Sequence, residues 1–312
     1  MKDYQGYFID LDGTTYKGKK QIPAAGRFIK RLQDAKKEVL FVTNNSTRTP
    51  DFVAENLREN HNINVTAENI YTTAIATADY LQSIATVKSK IYVIGESGLK
   101  LALEKRGFIL TDDQPEYVVV GLDTSVTYEK LEKAVLLIRN GAKFIGTNAD
   151  SNLPNERGMV PGAGSIVKLV EYATQVKPVM IGKPEAIIMK MALERVKLPK
   201  ERVIMVGDNY HTDIEAAINV GMDSLLVYTG LSRPEEVIKE KIRQTKIGAK
   251  NPMARKVKRT NILTGEIDYF DTVISCAKAC GVQNGKTSIT TRLNGQIKSP
   301  YKKTWIFEYY DE

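Results

Sequence analysis

The sequence predicts a parallel α/β protein built on a three-layer sheet core, and three observations carry that expectation. Short apolar runs rich in β-branched and aromatic residues recur along the chain, each followed by a polar turn and a helical pattern. Several runs (VLFVT, YVVVG, VIMVG, SLLVY) are apolar on successive residues, as expected when helices cover both faces of a parallel sheet. The residues just after such strands are small and polar, Asp10 and Asp12, Thr43 and Asn44, and Asp208, and Lys183 follows the VMI run in the same manner. In such sheets the ligand sits beyond the carboxyl ends of the strands.

Taken in order, the expected strands are Tyr7 to Leu11, Val39 to Thr43, Ile91 to Ile94, Tyr117 to Gly121, Lys143 to Gly146, Val179 to Ile181, Val203 to Val206 and Ser224 to Tyr228. Residues 78–178, with a helical stretch at Tyr128 to Asn140, form a block of their own between the second and third polar loops. A separate α/β unit inserted into a core of residues 1–77 and 179–240 fits this best. From Ile242 to Arg259 the composition turns abruptly to Lys, Arg, Gly and Pro, which places a domain boundary near 240 and leaves residues 241–312 as a tail.

The chain of 312 residues is long enough for two compact units. Its net charge of +8 suggests a polyanion partner until it is located. The tail holds 14 of the 45 basic and 6 of the 37 acidic residues, so the upstream part is balanced at 31 of each. Any nucleic-acid reading therefore concerns the tail alone. The two cysteines, Cys276 and Cys280, sit one helical turn apart with no second pair, which suits reduced thiols better than a disulfide framework or a zinc site. No signal-peptide pattern opens the chain and no run approaches membrane-spanning length, so a cytoplasmic location without a membrane partner is expected.

The segment FIDLDGTT sets two aspartates two residues apart at the end of an apolar strand. If the pleat continued, Asp10 and Asp12 would point to one face. Neighbouring carboxylates repel unless a cation or a shared proton compensates. Asp208 ends VIMVGD and Asp213 opens the next helix, which makes an oxygen-rich environment of the kind Mg²⁺ prefers.

In chain order, DLDGTT, FVTNN, GKPE and GDNYHTD resemble the four motifs of the haloacid dehalogenase superfamily. The long gap after the second motif, and GTNADSNLPNERGMVPGAGSI within it, resemble the NagD-type or 4-nitrophenylphosphatase-like hydrolases, which carry a large α/β cap. The resemblance spans about residues 3 to 240 and implies a Rossmann-like core, Mg²⁺, and hydrolysis of small phosphomonoesters such as nucleotides or sugar phosphates. It implies that Asp10 attacks phosphorus to form an aspartyl phosphate. Asp12 would protonate the leaving oxygen and then activate water, its backbone carbonyl helping to hold the metal. Thr43, the Asn44 amide and Lys183 would bind phosphoryl oxygens. Asp208 would ligate Mg²⁺ directly, and Asp213 would act through water or by orienting Lys183. Asn148 and Asp150 either face substrate from the cap or form a simple Asx turn. Ala149 stands where the family often has Pro or Gly. His61 and His211 read as ordinary polar residues.

After VYTGLSRPEEV the resemblance implies one more strand and helix, which this sequence lacks. The tail instead resembles the nuclease-associated modular DNA-binding motifs at the C-termini of homing endonucleases. That likeness implies a basic NPMARKV linker, a strand around a TGE turn, helices at Thr272 to Cys280 and Lys286 to Leu293 in a helix-turn-helix-like arrangement, and a closing strand at Trp305 to Tyr309. Lys250, Arg255, Lys256, Lys258 and Arg259 would meet phosphates of duplex DNA, and Arg292 lies on the second helix. A solvated basic face on a small α+β appendage is the plainer reading. Two functions follow: a phosphatase carrying this tail, or a DNA-binding fusion whose shortened phosphatase body is weakened or inactive. Oligomeric state stays open.

Overall fold

The computed structural model describes residues 2–237, 256–261, 263, 264, 267–270, 276 and 305–310. Contacts divide the chain into two units, Met1–Ser232 and Arg233–Glu312. The first unit begins with β1 (Gly6–Ile9), β2 (Tyr16–Lys17), β3 (Lys20–Gln21), α1 (Pro23–Asp34), β4 (Glu38–Thr43), α2 (Pro50–His61), β5 (Ile70–Thr72) and α3 (Thr73–Ile84). It continues with β6 (Lys90–Ile94), α4 (Ser97–Lys105), β7 (Ile109–Leu110), β8 (Tyr117–Val120), α5 (Tyr128–Arg139), β9 (Lys143–Gly146), β10 (Asn152–Asn155), β11 (Gly158–Pro161) and α6 (Ala163–Thr174). It closes with β12 (Val179–Met180), α7 (Ala186–Val196), β13 (Val203–Gly207), α8 (Glu215–Val220) and β14 (Asp223–Leu226).

Two five-stranded parallel sheets organise this unit, in the orders β14-β13-β1-β4-β5 and β12-β9-β8-β6-β7. Alternate residues of each central strand enter different cores. Phe8, Leu40, Val42, Tyr117 and Val119 share one large apolar cluster with residues of α3, α4, α7 and α8. Ile9, Val39 and Phe41 pack beneath α1 and α2, while Val118 and Val120 pack against α5 and α6. Burial on both faces is why these strands read as unbroken apolar runs rather than alternating ones.

Local signals fix the helix ends. Thr49 caps α2 through its hydroxyl, which accepts from Phe52 N at 3.4 Å, and Pro50 supplies the pre-set first helical φ. Thr127 does the same for α5, accepting from Lys130 N at 3.3 Å. No helix among the described residues is long and apolar enough to cross a membrane.

In the first sheet the chain leaves β1 toward β4 and β5 on one side and returns later as β13 on the other. The strand order thus reverses between β1 and β13, and the crevice outside the carboxyl ends at such a point is where ligands bind in open α/β sheets. Ile9 pairs with Val206 and with Phe41, so the loops after β1, β4 and β13 leave the sheet side by side.

Domain limits drawn from composition differ from the contacts in two places. The expected cut between residues 77 and 78 falls inside α3, whose Ala74, Ala76, Ala78 and Leu81 belong to the cluster shared by both sheets. The cut expected near 240 falls at 232/233, just after Ser232 N donates to Asp208 O at 3.1 Å. A change of charge marks where solvent exposure begins, whereas a domain edge is set by where packing stops.

In the second unit the described strands β15 (Lys256–Asn261), β16 (Ile267–Phe270) and β17 (Trp305–Tyr310) form an antiparallel sheet in the order β16-β15-β17. The helices expected at Thr272 to Cys280 and Lys286 to Leu293 lie outside the described residues, Cys276 apart.

Candidate active site

Lys183 is the buried centre of the site, 1% exposed, although a lone lysine belongs in water. It follows β12, the edge strand of the second sheet, and reaches into the crevice of the first. Its ammonium donates to Asp10 Oδ1 at 2.6 Å, to Asp213 Oδ1 at 2.7 Å and to Val42 O at 2.9 Å. All three of its protons are therefore placed, which is the condition for keeping an ammonium charged inside a protein. Burial alone would lower its pKa, but the charges of Asp10 and Asp213 outweigh that and hold it raised.

Asp10 is the first residue past β1 and still donates its N–H to Val206 O at 2.9 Å, so the sheet aims it at the crevice. Asp213 stands on a π-helical turn, Tyr210–Ile214, and its second oxygen accepts from Asn209 N at 3.0 Å. Such turns put one extra residue into a helix and re-aim a side chain, a feature frequent at functional sites. Asp208 accepts from the Thr14 hydroxyl at 2.9 Å and from Leu231 N at 2.8 Å. Gly13, at φ +92°, lies so close that a Cβ there would fall 2.4 Å from Asp208 Oδ2, so only glycine lets the loop wrap this carboxylate.

Carboxylate oxygens of Asp10, Asp208 and Asp213 lie within 4.8 Å of one another. The one ammonium bonds two of these three carboxylates, so two negative charges stay uncompensated when all are ionised. The electrostatics register that excess. Burial, chiefly, pushes the Asp10 carboxyl up to about 8; Lys183 opposes this and the neighbouring Asp213 and Asp208 add to it. Burial likewise raises Asp208. A hard divalent cation fits the deficit in charge and the all-oxygen donor set.

Asp12 does not share this cluster. β1 ends at Ile9, and the chain turns at once, with Leu11 O accepting from Thr15 N at 2.7 Å and Gly13 N donating to Tyr16 O at 2.6 Å. The pleat that would have put both aspartates on one face stops before it reaches them. Asp12 is exposed, and its Oδ1 accepts from Gly18 N at 3.2 Å.

The loop after β4 packs between the sheets. Thr43 is buried and its hydroxyl accepts from Asn45 N at 3.2 Å. The Asn44 side chain bonds both the N–H and the C=O of Lys183, at 2.8 and 2.9 Å, and the Asp150 carboxylate at 3.0 Å. Its own carbonyl accepts from Asn148 Nδ2 and from the Thr73 hydroxyl, both at 2.8 Å. Asn148 Oδ1 accepts from Asp150 N at 3.1 Å, so the Asx turn expected as one alternative exists, and it is used to brace Asn44. Sequence reasoning missed Thr14, Thr73 and the Leu231 N–H. Thr14 carried a signal, its place in DLDGTT, whereas Thr73 reads as an ordinary helix residue and a backbone donor leaves no trace in a sequence.

Of the tail residues singled out, Lys250, Arg255 and Arg292 lie outside the described residues, and of Lys256 only the backbone in β15 is described. Lys258 is half-buried, and Arg259 pairs with Asp268.

Residues 7–109 match the family described as haloacid dehalogenase-like hydrolase, and residues 180–250 match a HAD-hydrolase-like family. An acid sugar phosphatase of Staphylococcus epidermidis is 49% identical over 246 residues, 78% of this chain and 94% of its own. A 5′-nucleotidase of Bacillus subtilis is 48% identical over 239 residues, 76% of this chain and 92% of its own. The crystal structure of a single mutant of the thermostable NPPase of Geobacillus stearothermophilus superposes with a TM-score of 0.72 at 50% identity, over 75% of this chain and 93% of that one. Identity of this order across nearly the whole length of such relatives, together with the two matched segments, means that the chain belongs to the haloacid dehalogenase-like hydrolases.

Proposed function

We propose that this protein is a Mg²⁺-dependent phosphatase of small phosphomonoesters in which Asp10 is the nucleophile. The observation that carries the reading is the cluster of three carboxylates, two of them paired with the buried Lys183, at the strand-order reversal of the first sheet. The phosphatase names of relatives at about half identity support the reaction class. Asp10 and Asp208, with the backbone carbonyl of Asp12, would hold the cation. When bound, it supplies positive charge that keeps Asp10 ionised and neutralises phosphoryl oxygens.

The protein's own groups divide the chemistry. An Asp10 oxygen forms a bond to phosphorus as the ester P–O bond breaks, and the leaving oxygen takes a proton from Asp12. Water, giving a proton to Asp12, then attacks phosphorus, releasing inorganic phosphate and restoring the Asp10 carboxylate. Exposure suits Asp12 to trade protons with solvent, while Lys183, its protons committed to Asp10, Asp213 and Val42 O, holds the nucleophile's aim and charge. Thr43 and the backbone amide of Asn44 would receive the phosphoryl oxygens. Residues 78–178 act as an α/β cap in this reading, and the leaving group is chosen there.

Hydrolysis of 4-nitrophenyl phosphate by the purified protein should need added Mg²⁺ and vanish in Asp10→Asn. Turnover that survives this substitution, or that is indifferent to chelator, overturns the assignment.

A further inference from the structure

Asn44 makes an edge-to-edge pair with the peptide groups of Lys183. Its Oδ1 accepts from Lys183 N at 2.8 Å, and its Nδ2 donates to Lys183 O at 2.9 Å. A side-chain amide is almost the same shape when turned over, so shape alone does not choose which end faces the N–H. The Lys183 N–H and C=O set the orientation, and the remaining Nδ2 proton anchors it from a third side. That proton points at the Asp150 carboxylate, 3.0 and 3.2 Å from its two oxygens.

A turned amide would aim Oδ1 at that carboxylate and at Lys183 O, and would set Nδ2 against the Lys183 N–H. An ionised carboxylate only accepts, so Asp150 admits one orientation. Asp150 is itself held: its N–H donates to Asn148 Oδ1 at 3.1 Å, and its carbonyl accepts from Gly164 N, at the start of α6, at 2.9 Å. Gly182, next to Lys183, leaves no slack either, because a Cβ there would fall 2.7 Å from Asn44 Oδ1 and 2.8 Å from Asn148 Cβ.

We infer that Asp150 is a positioning residue of the reaction, which fixes the Asn44 amide and through it the Lys183 backbone from which the ammonium reaches Asp10. The role joins a loop of the second sheet to the chemistry of the first without contact to substrate. Its activity readout rests on the proposed phosphatase function, and its exchange readout does not.

The test compares Asp150→Ala and Asp150→Asn in the full chain, using Mg²⁺ with 4-nitrophenyl phosphate and with glycerol phosphate. Loss of a bond to a charged acceptor should lower kcat of Asp150→Ala about 10- to 100-fold, equally on both esters, with KM within about threefold. Asp150→Asn keeps an acceptor oxygen and should stay within about threefold of the parent. Hydrogen exchange at the Lys183 amide should quicken in Asp150→Ala and not in Asp150→Asn. Parental kcat in Asp150→Ala, a KM rise confined to one ester, or unchanged Lys183 exchange would overturn the inference. If the parent hydrolyses neither ester, the phosphatase reading fails, and exchange at Lys183 still decides the positioning role. Should Asp150→Ala not fold, Asp150→Ser, whose hydroxyl is too short to reach the amide, takes its place with the same expectations.

Discussion

The two sheets of the first unit are built alike and used differently. Each has five parallel strands with helices on both faces, and loops at the carboxyl ends of both meet around Asn44 and Lys183. The first sheet contributes charge there: Asp10 after β1, Asp208 and Asp213 after β13. The second contributes mainly small and amide groups, Gly98 at the start of α4, Asn148 after β9 and Gly182 after β12, with one carboxylate, Asp150, that bonds Asn44 rather than the charged cluster. On the proposed function, one sheet serves for reactivity and the other for constraint, which is the sense in which function lives in sites placed on a fold rather than in the fold. Lys183 crosses the division, because the second sheet carries it and the first employs it.

The comparison would break most visibly at that crossing. Lys183→Met should abolish measurable turnover, a loss of at least about a thousandfold, since it removes the only cation facing Asp10 among the described groups. It also leaves Asp213, 1% exposed, as a buried carboxylate without its partner, a change that costs about 3–5 kcal/mol when a buried pair is broken. Steady-state kinetics and denaturant unfolding should therefore fall together. By contrast Asp208→Asn preserves shape and should raise the Mg²⁺ concentration needed for half-maximal rate with little change in unfolding midpoint. If both variants behaved alike, the division between a charge that holds the structure and one that holds the metal would be wrong.

A substitution in the second sheet's contribution should give a smaller, graded loss. A Cβ at Gly98 would fall 2.7 Å from Thr47 O and Arg48 O, both backbone atoms of the loop after β4. Overpacking of this kind costs about 1–3 kcal/mol, so Gly98→Ala should lower the melting temperature and displace the Thr43–Asn44 loop. The expected kinetic signature is a fall in kcat that does not depend on Mg²⁺ concentration. Full activity with parental stability would show that the sheets tolerate sliding over one another.

The same contrast governs what the sequence disclosed. Every long apolar run became a strand, because burial on two faces forces several β-branched residues into succession, and the motif carboxylates fell at strand ends where the α/β rule puts them. β5, Ile70–Thr72, was not legible, since ENIYTTA runs without a turn into α3 and three residues carry no periodicity of their own. The charged half of the site could be read from residue type. Much of the constraining half could not: Gly98, Thr73 and Gly182 are common residues whose importance lies in how closely two distant loops approach. Asp12 leaves the face it would share with Asp10 in a continued pleat, because that pleat needs three more residues after Ile9 and the chain turns there instead.

The hairpin of β2 and β3 sharpens the comparison at lower energy. Tyr16 stacks on His61, ring centroids 4.4 Å apart and planes at 14°, and His61 is 6% exposed. Burial lowers the His61 pKa below its ordinary 6.5. The folded state therefore favours the neutral ring, while the unfolded chain takes up a proton near 6.5. The contribution to stability is present above that pH and is lost as pH falls below it. Between pH 8 and pH 5 the melting temperature of the parent should drop more than that of His61→Phe, which keeps the stack without titrating; equal slopes would remove His61 from the account.

The hairpin also meets the separate β10–β11 hairpin, which follows β9 of the second sheet, through Lys19 and Glu156, 2.8 Å apart with both side chains more than four-fifths exposed. Two long side chains in water gain little from such a contact, because solvent screens it and ordering them costs entropy. Lys19→Ala should leave the melting temperature and kcat unchanged at physiological salt. If it instead raised KM for every ester and the effect faded in high salt, this exposed pair would be helping to hold the two hairpins together. Charge outside the first sheet would then matter at the exposed rim as well, and the division of labour drawn from the buried residues would not extend there.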